Sequence, residues 1–155
     1  MSKGVLTVVS GFSGAGKGTV MRRLLEKYDD CVLSISVTTR KPREGEVDGR
    51  DYFFRTKEEV EAMIEADELL EYAQYVENYY GTPRAYVEEM LSRGKNVILE
   101  IEIQGAMKIK EKISDTVLVF VTPPTIRELK NRLVGRGTET QAVIESRLRR
   151  AAEEA

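Results

Sequence analysis

Residues 4–25, GVLTVVSGFSGAGKGTVMRRLL, carry the decision about the fold. Leu6 to Ser10, with Val5 ahead of it, is a largely β-branched run of strand length. From Lys17 to Lys27 the apolar residues Val20, Met21, Leu24 and Leu25 return at helical spacing. Between them lies Gly11-Phe12-Ser13-Gly14-Ala15-Gly16-Lys17-Gly18-Thr19, a glycine-rich turn that ends a strand and opens a helix. That is the setting of a Walker A phosphate loop. Glycines let the backbone curl so that successive N–H groups and the helix N-terminus point at one phosphate, while Lys17 neutralises charge on the β and γ groups. Ser13, Gly14, Ala15, Gly16, Lys17, Gly18 and Thr19 are therefore the candidate phosphate-binding residues. One departure stands out: Gly18 follows the lysine where Ser or Thr is usual, and the hydroxyl comes one place later. Thr19 is the candidate ligand for Mg²⁺ on that basis.

Outward from this loop, apolar runs recur at Val32 to Val37, Val97 to Ile101 and Val117 to Val121, with helical patterns between them. Alternation of that kind predicts an α/β fold, a P-loop parallel sheet covered by helices on both faces. Local chemistry marks several helix starts: Thr56 with Glu59, Thr125 with Glu128, and Thr82 before Pro83 with Gly94 past the end. The stretch from Thr38 to about Tyr80 differs in character. It opens with the basic loop TTRKPREGEVDGRDYFF and continues into EEVEAMIEADELLE, read as an acidic helix. The expected division is a core of residues 1–37 and 81–155, with an inserted subdomain at 38–80.

The whole chain has 155 residues, 24 basic and 26 acidic, for a formal charge of −2. No global positive field exists to hold a nucleic acid, although small anions can bind where arginines gather. The sequence contains no histidine and one cysteine, Cys31. Histidine catalysis, His/Cys zinc sites and a disulfide scaffold are excluded together. Met1 to Gly4 leads into an apolar run broken at once by glycines, which predicts neither a signal peptide nor a membrane span and points to the cytoplasm.

Five segments taken in order carry a resemblance: SGFSGAGKGT at 10–19, SVTTRKPREGEVDGRDYFF at 36–54, NYYGTPR at 78–84, LEIEIQGA at 99–106 and RLVGRGTET at 132–140. Together they resemble guanylate kinase, a nucleoside monophosphate kinase of the P-loop class. The resemblance implies ATP and GMP as substrates, with Mg²⁺ accompanying ATP. It implies that Arg40, Arg43, Tyr52 and Tyr80 grip the GMP phosphate, chemistry that suits planar guanidinium forks and phenolic donors. It makes Glu71 the carboxylate that takes the N1–H and N2–H donors of guanine, with Ser36 and Thr82 as hydroxyls and Gly81 beside them. Glu100, at the end of an apolar strand, is the implied acid near GMP and Mg²⁺, although many relatives carry Asp in LDID where this chain has LEIE.

The resemblance also makes residues 132–147 a mobile lid, in which Arg132, Arg136 and Arg147 bring positive charge onto the transferring group beside Lys17 and Arg43. Arg149 and Arg150 read as an ordinary solvated helix face. An in-line transfer of the ATP γ-phosphoryl group to GMP needs positioning and charge neutralisation, with no covalent intermediate. Two alternatives stay open at this point: a kinase for another nucleoside monophosphate, and an inactive relative that binds phosphoproteins. The resemblance further implies another strand and helix after Ala155, so the chain is expected to lack a C-terminal part of the fold. Oligomeric state is not legible.

Overall fold

The computed structural model describes residues 2–12, 14–137 and 140–154. In chain order they form β1 (Leu6–Gly11), α1 (Lys17–Lys27), β2 (Cys31–Leu33), β3 (Val37–Thr38), β4 (Phe53–Phe54), α2 (Lys57–Glu65) and β5 (Leu69–Tyr75). Then follow β6 (Asn78–Pro83), α3 (Arg84–Ser92), β7 (Asn96–Glu100), α4 (Ile103–Lys112), β8 (Val117–Val121), α5 (Ile126–Gly135) and α6 (Gln141–Glu154).

The core is a parallel sheet of order β2-β7-β1-β8, in which Val8 aligns with Leu99 on one side and Leu118 on the other. The apolar runs of the inner strands β1 and β7 are buried on both faces, and alternate residues serve different layers. Leu6, Val8, Val97 and Leu99 pack on Val87 and Leu91 of α3 and on Ala106 and Ile109 of α4. Val9 and Ile98 turn the other way, onto Met21 of α1. Fully burying each such side chain contributes about 1.5–3 kcal/mol, which is why these runs specify the sheet. Because α1 and α4 leave on opposite faces, a crevice opens outside the C-terminal ends of β1 and β7, where parallel sheets bind ligands. Cover is incomplete at β8, whose Val117, Leu118, Val119 and Phe120 remain 37–45% exposed.

A second sheet, of order β4-β3-β6-β5, runs from Val37 to Pro83 and is mostly antiparallel. It corrects three readings of the sequence. The apolar run Val32 to Val37 is not one strand: Cys31–Leu33 joins the parallel sheet and Val37–Thr38 the second, with the chain crossing between them at Ser34 to Ser36. The acidic stretch is helical only to Glu65. There Asp67 adopts a left-handed conformation, held by Lys112 and Arg84, and Leu69–Tyr75 continues as a strand, so Glu71 lies on a strand. Asp tolerates that conformation better than most residues, which lets the chain reverse without glycine. Thr82 does not cap α3: it belongs to β6, and its hydroxyl goes to Glu71.

The other two start signals hold. Thr56 and Glu59 form a reciprocal capping box, and the Thr125 side chain accepts from the Glu128 N–H. Beyond the core sheet, Leu129 and Leu133 of α5 pack on Ile144 and Ala151 of α6, with Phe12 and Leu148 against them.

Candidate functional site

The phosphate loop follows directly from β1. Gly11 passes so near β8 that a Cβ there would sit 2.1 Å from the Val121 carbonyl oxygen, and Gly14, at φ +87°, lies against Leu133 and Leu129 of α5. Helix α1 starts after Gly16 with no side chain capping its first N–H groups, which leaves the positive end of the helix open to an anion. The Lys17 ammonium donates to the Gly11 and Phe12 carbonyl oxygens at 2.7 and 3.1 Å, folded over its own loop. Ala15 is buried, while Gly18 and Thr19 are exposed on the first turn of α1. Ser13 lies outside the described residues.

Arg132 ties α5 to this loop: it donates to the Ala15 carbonyl at 3.1 Å and pairs with Glu128 at 2.9 Å. A cleft of about 670 Å³ opens beside the loop. Lys17 lines one wall, Glu100 and Glu102 at the end of β7 another, and Arg147 and Arg150 of α6 a third. Arg150 reaches Glu102 at 2.7 Å. Arg136 sits exposed just past α5 and does not line the cleft.

The second cluster lies on the other sheet and is built from side chains. Arg40 grips Glu46 with both terminal nitrogens, at 2.9 and 3.0 Å, and its guanidinium lies 5.3 Å from the Tyr52 ring centroid and 6.0 Å from that of Phe54. Tyr52 meets Tyr80 edge-on with centroids 6.2 Å apart, and the Tyr80 side chain also stands beside Arg40. Arg43 follows in the same turn; its backbone N–H donates to Glu46 at 2.7 Å. The Arg40 guanidinium and the Tyr52 and Tyr80 phenols thus stand together, with Arg43 in the same turn, a set of groups suited to an anion and using no glycine loop.

Glu71, on β5, faces Gly105 of α4. Thr82 donates its hydroxyl hydrogen to Oε1 at 2.8 Å, and among the described residues Oε2 accepts no hydrogen bond. Burial is the main reason its carboxyl titrates above the ordinary range, against which the Thr82 bond acts. A Cβ on Gly105 of α4 would come within 3.1 Å of Oε2, so glycine there keeps that oxygen clear. Gly81, buried in β6, aligns with Val37 and Tyr72, and the Ser36 carbonyl accepts from Phe53 N–H.

The structure thus gathers Gly14 to Lys17 with Arg132 and Arg147, and separately gathers Arg40, Arg43, Tyr52 and Tyr80. The members of the second group do not line the cleft beside the first. Sequence reasoning missed Arg150, taken for a solvated face, as well as Glu46 and Tyr75, the latter at the rim of the cleft near α6. The i, i+3 relation of Arg147 and Arg150 on α6, which puts both on one face, was the available signal for Arg150.

Comparison with known proteins follows the same lines. The sequence model of the guanylate kinase family matches residues 3–155. A protein named guanylate kinase from Enterococcus faecalis is 58% identical over 153 residues, covering 98% of this chain and 75% of its own length. One from Clostridioides difficile is 58% identical over 154 residues, covering 99% and 75%. Among solved structures, the crystal structure of guanylate kinase from Anaplasma phagocytophilum is 34% identical with a TM-score of 0.66, covering 97% of this chain and 84% of that one.

Proposed function

Since the chain belongs to the guanylate kinase family, we infer that its backbone-built loop receives the donor nucleotide and its side-chain cluster the acceptor. The protein is a nucleoside monophosphate kinase that transfers the γ-phosphoryl group of ATP to GMP, giving ADP and GDP. The observation that supports this assignment of parts is the pair of clusters suited to anions, an uncapped helix start after a glycine loop and an Arg/Tyr group, on two sheets of one chain.

On the donor side, the open N-terminus of α1 and the loop amides of residues 13–19 would hold the β-phosphate, with Lys17 and Arg132 alongside. On the acceptor side, Arg40, Arg43, Tyr52 and Tyr80 would hold the GMP phosphate. The paired oxygens of Glu71 would take the guanine N1–H and N2–H donors. Thr82 places its single hydroxyl hydrogen on Glu71, which supports a role in aiming the carboxylate. Adenine offers no such donor pair, so Glu71 left buried and unmatched would reject it by roughly tenfold to a hundredfold or more. Arg147, and Arg136 once residues 132–147 close, would bring charge onto the transferring group and exclude water. The division into a 38–80 acceptor subdomain and a core of 1–37 and 81–155 rests on the second sheet, which lies almost wholly within the insertion.

The donor set suits Mg²⁺ held mainly by nucleotide oxygens. Thr19 offers one exposed hydroxyl beside the loop and Glu100 an exposed carboxylate across the cleft, and among the described residues no cluster of three or more His, Cys, Asp or Glu could hold the ion alone. When bound, the ion would neutralise charge on the β and γ oxygens. The acceptor is already an anionic oxygen, so the chain's own task is to align it with the γ-phosphorus and to balance charge.

A coupled assay of ADP release with GMP, AMP, CMP and UMP tests the reading. Turnover confined to GMP is expected, and equal use of AMP would overturn the assignment of Glu71.

A further inference from the structure

We propose that Glu46 is a positioning residue for the acceptor phosphate: it holds one fork of the Arg40 guanidinium so that the other fork is presented to the substrate. This rests on the acceptor reading above. Arg40 has five N–H donors in two usable forks. The end-on fork, one hydrogen from each terminal nitrogen, is spent on the two Glu46 oxygens at 2.9 and 3.0 Å. The second Nη1 hydrogen goes to the Lys41 carbonyl at 2.9 Å. What remains is the side-on fork of Nε–H and the second Nη2–H, which among the described residues faces no carboxylate or carbonyl; the guanidinium also hydrogen-bonds the Tyr80 side chain, so a phosphate arriving there would share that contact with two parallel donors.

Several features separate this pair from an incidental surface contact. Arg40 and Glu46 side chains are only 16% and 20% exposed. In ten other salt bridges among the described residues, from Arg22–Glu26 to Arg150–Glu102, at least one partner is more than 40% exposed. Glu46 Oε1 also accepts the Arg43 backbone N–H at 2.7 Å, and the Glu46 N–H returns to the Arg43 carbonyl at 3.0 Å. One carboxylate therefore sets the plane of the first arginine and the starting point of the second. The rings of Tyr52 and Phe54 support the guanidinium from its face. The same contacts keep the Glu46 carboxyl ionised, titrating near 2, with the Arg40 hydrogen bond as the leading cause. Burying such a pair is a weak way to stabilise a fold, whereas fixing the orientation of a charge that must meet a ligand is a use that repays it.

A different reading makes Glu46 a stand-in that the phosphate must displace, and the two differ in sign. The test measures the Kd of GMP and of ATP by calorimetry, together with their KM values, for the wild type, Glu46→Gln, Glu46→Asp, Arg40→Lys and the Arg40→Lys/Glu46→Gln double variant. Positioning predicts that Glu46→Gln, which keeps the shape, weakens GMP about tenfold or more while ATP changes less than about twofold. Glu46→Asp, with charge kept and reach shortened, falls between the two. Because lysine has no second fork to present, the double variant matches Arg40→Lys within about twofold. Tighter GMP binding by Glu46→Gln, unchanged binding, or losses that add in the double variant would each overturn the proposal. Should the Gln variant not fold, Glu46→Asp decides the matter by the same criterion. A wild type that binds no GMP would instead defeat the acceptor reading itself, a result distinct from a wild type that binds GMP beside a Glu46→Gln variant equal to it.

Discussion

In the proposed function the donor loop and the acceptor cluster have the same task, holding a phosphate, and they meet it with opposite materials. Around Gly11 to Thr19 the recognition groups are main-chain amides and one helix end, and side chains matter chiefly by being absent. Around Arg40 they are long side chains, immobilised by Glu46, Tyr52 and Phe54. A main-chain site is fixed by chain geometry and leaves a compact signature. A side-chain site needs a second set of residues to hold the first in place, and that set is scattered over a turn, a strand and a hairpin. The two regions should therefore break differently.

The sharpest contrast comes from Lys17→Met. Removing the loop's own ammonium, which rests on the Gly11 and Phe12 carbonyls, should lower kcat by about 10²–10³-fold. The backbone cradle, untouched, should keep GMP affinity within about twofold. Steady-state kinetics with ATP and GMP varied separately would measure both, and a large loss of GMP affinity would show that the two sites are not independent.

Glu71→Gln probes the acceptor side at the atom that chooses the base. Its preference for GMP over AMP should fall roughly tenfold to a hundredfold, with KM for ATP unchanged. The raised titration of Glu71 fixes the sign of two further effects. Burial favours its neutral form, so whatever the group contributes to stability is present at low pH and lost as pH rises through its folded-state pKa. At pH 7 Glu71→Gln should thus melt no lower than the parent, and the parent should gain on it as pH falls toward 4. Binding runs the other way, because the guanine donors need the carboxylate. GMP affinity should weaken on acidification while the pH is still above about 4.3, the ordinary glutamate value, because burial raises the Glu71 carboxyl. The GMP phosphate also titrates, near pH 6, so the Glu71→Gln protein, which lacks the carboxylate limb, is the control.

What the sequence disclosed follows the same divide. The β1–loop–α1 unit was readable without any relative, because β-branched run, glycine spacing, lysine and helix period all agree across residues 5 to 25. The parallel character of the sheet that holds β1, β7 and β8 followed from alternation, whereas its strand order did not. The second sheet was not readable: its strands β3 and β4 are two residues each, too short for any period, and Glu71 sits in an acid-rich stretch whose composition favours a helix. The left-handed Asp67, with its ties to Lys112 and Arg84, 45 and 17 residues away, ends the helix, and pairing with Asn78–Pro83 makes the following stretch a strand. Arg40, Arg43, Tyr52 and Tyr80 became candidates through resemblance alone. Glu46 escaped even that, since nothing in GEVDG distinguishes a carboxylate that grips an arginine from one that faces water.

A smaller perturbation tests whether the core reaches the acceptor through α4. Gly105→Ala adds a Cβ that would lie 3.1 Å from Glu71 Oε2 and 3.1 Å from Ile101 Cδ1, so one of these must give way. Helix propensity favours the change by up to about 1 kcal/mol, which offsets the crowding in stability but does nothing for aim. Near-unchanged melting with KM for GMP raised about tenfold would mark Gly105 as a spacer for the carboxylate. If GMP kinetics did not move, Glu71 would have slack enough to make its observed placement unimportant.

The least effect should come from the helix caps, and it is the most even-handed comparison of the two regions. Thr56 caps α2 on the acceptor side and Thr125 caps α5 on the donor side, each accepting the N–H three residues on. Alanine at either should cost about 1 kcal/mol of stability. In Thr56→Ala the residue-56 backbone N–H keeps its Glu59 acceptor, so each change strands one backbone donor and the two costs should be similar. Their kinetic consequences should differ more than their stabilities. Helix α2 supports the second sheet through Val60, packed with Val37 and Leu69, and supplies no ligand. Helix α5 carries Arg132 onto the Ala15 carbonyl, with Leu129 and Leu133 against Gly14. Fraying its first turn loosens the Glu128 partner of Arg132, so Thr125→Ala should raise KM for ATP by a small factor while Thr56→Ala leaves both KM values alone. Equal kinetic responses from the two caps would mean that α5 braces the phosphate loop no more than α2 does.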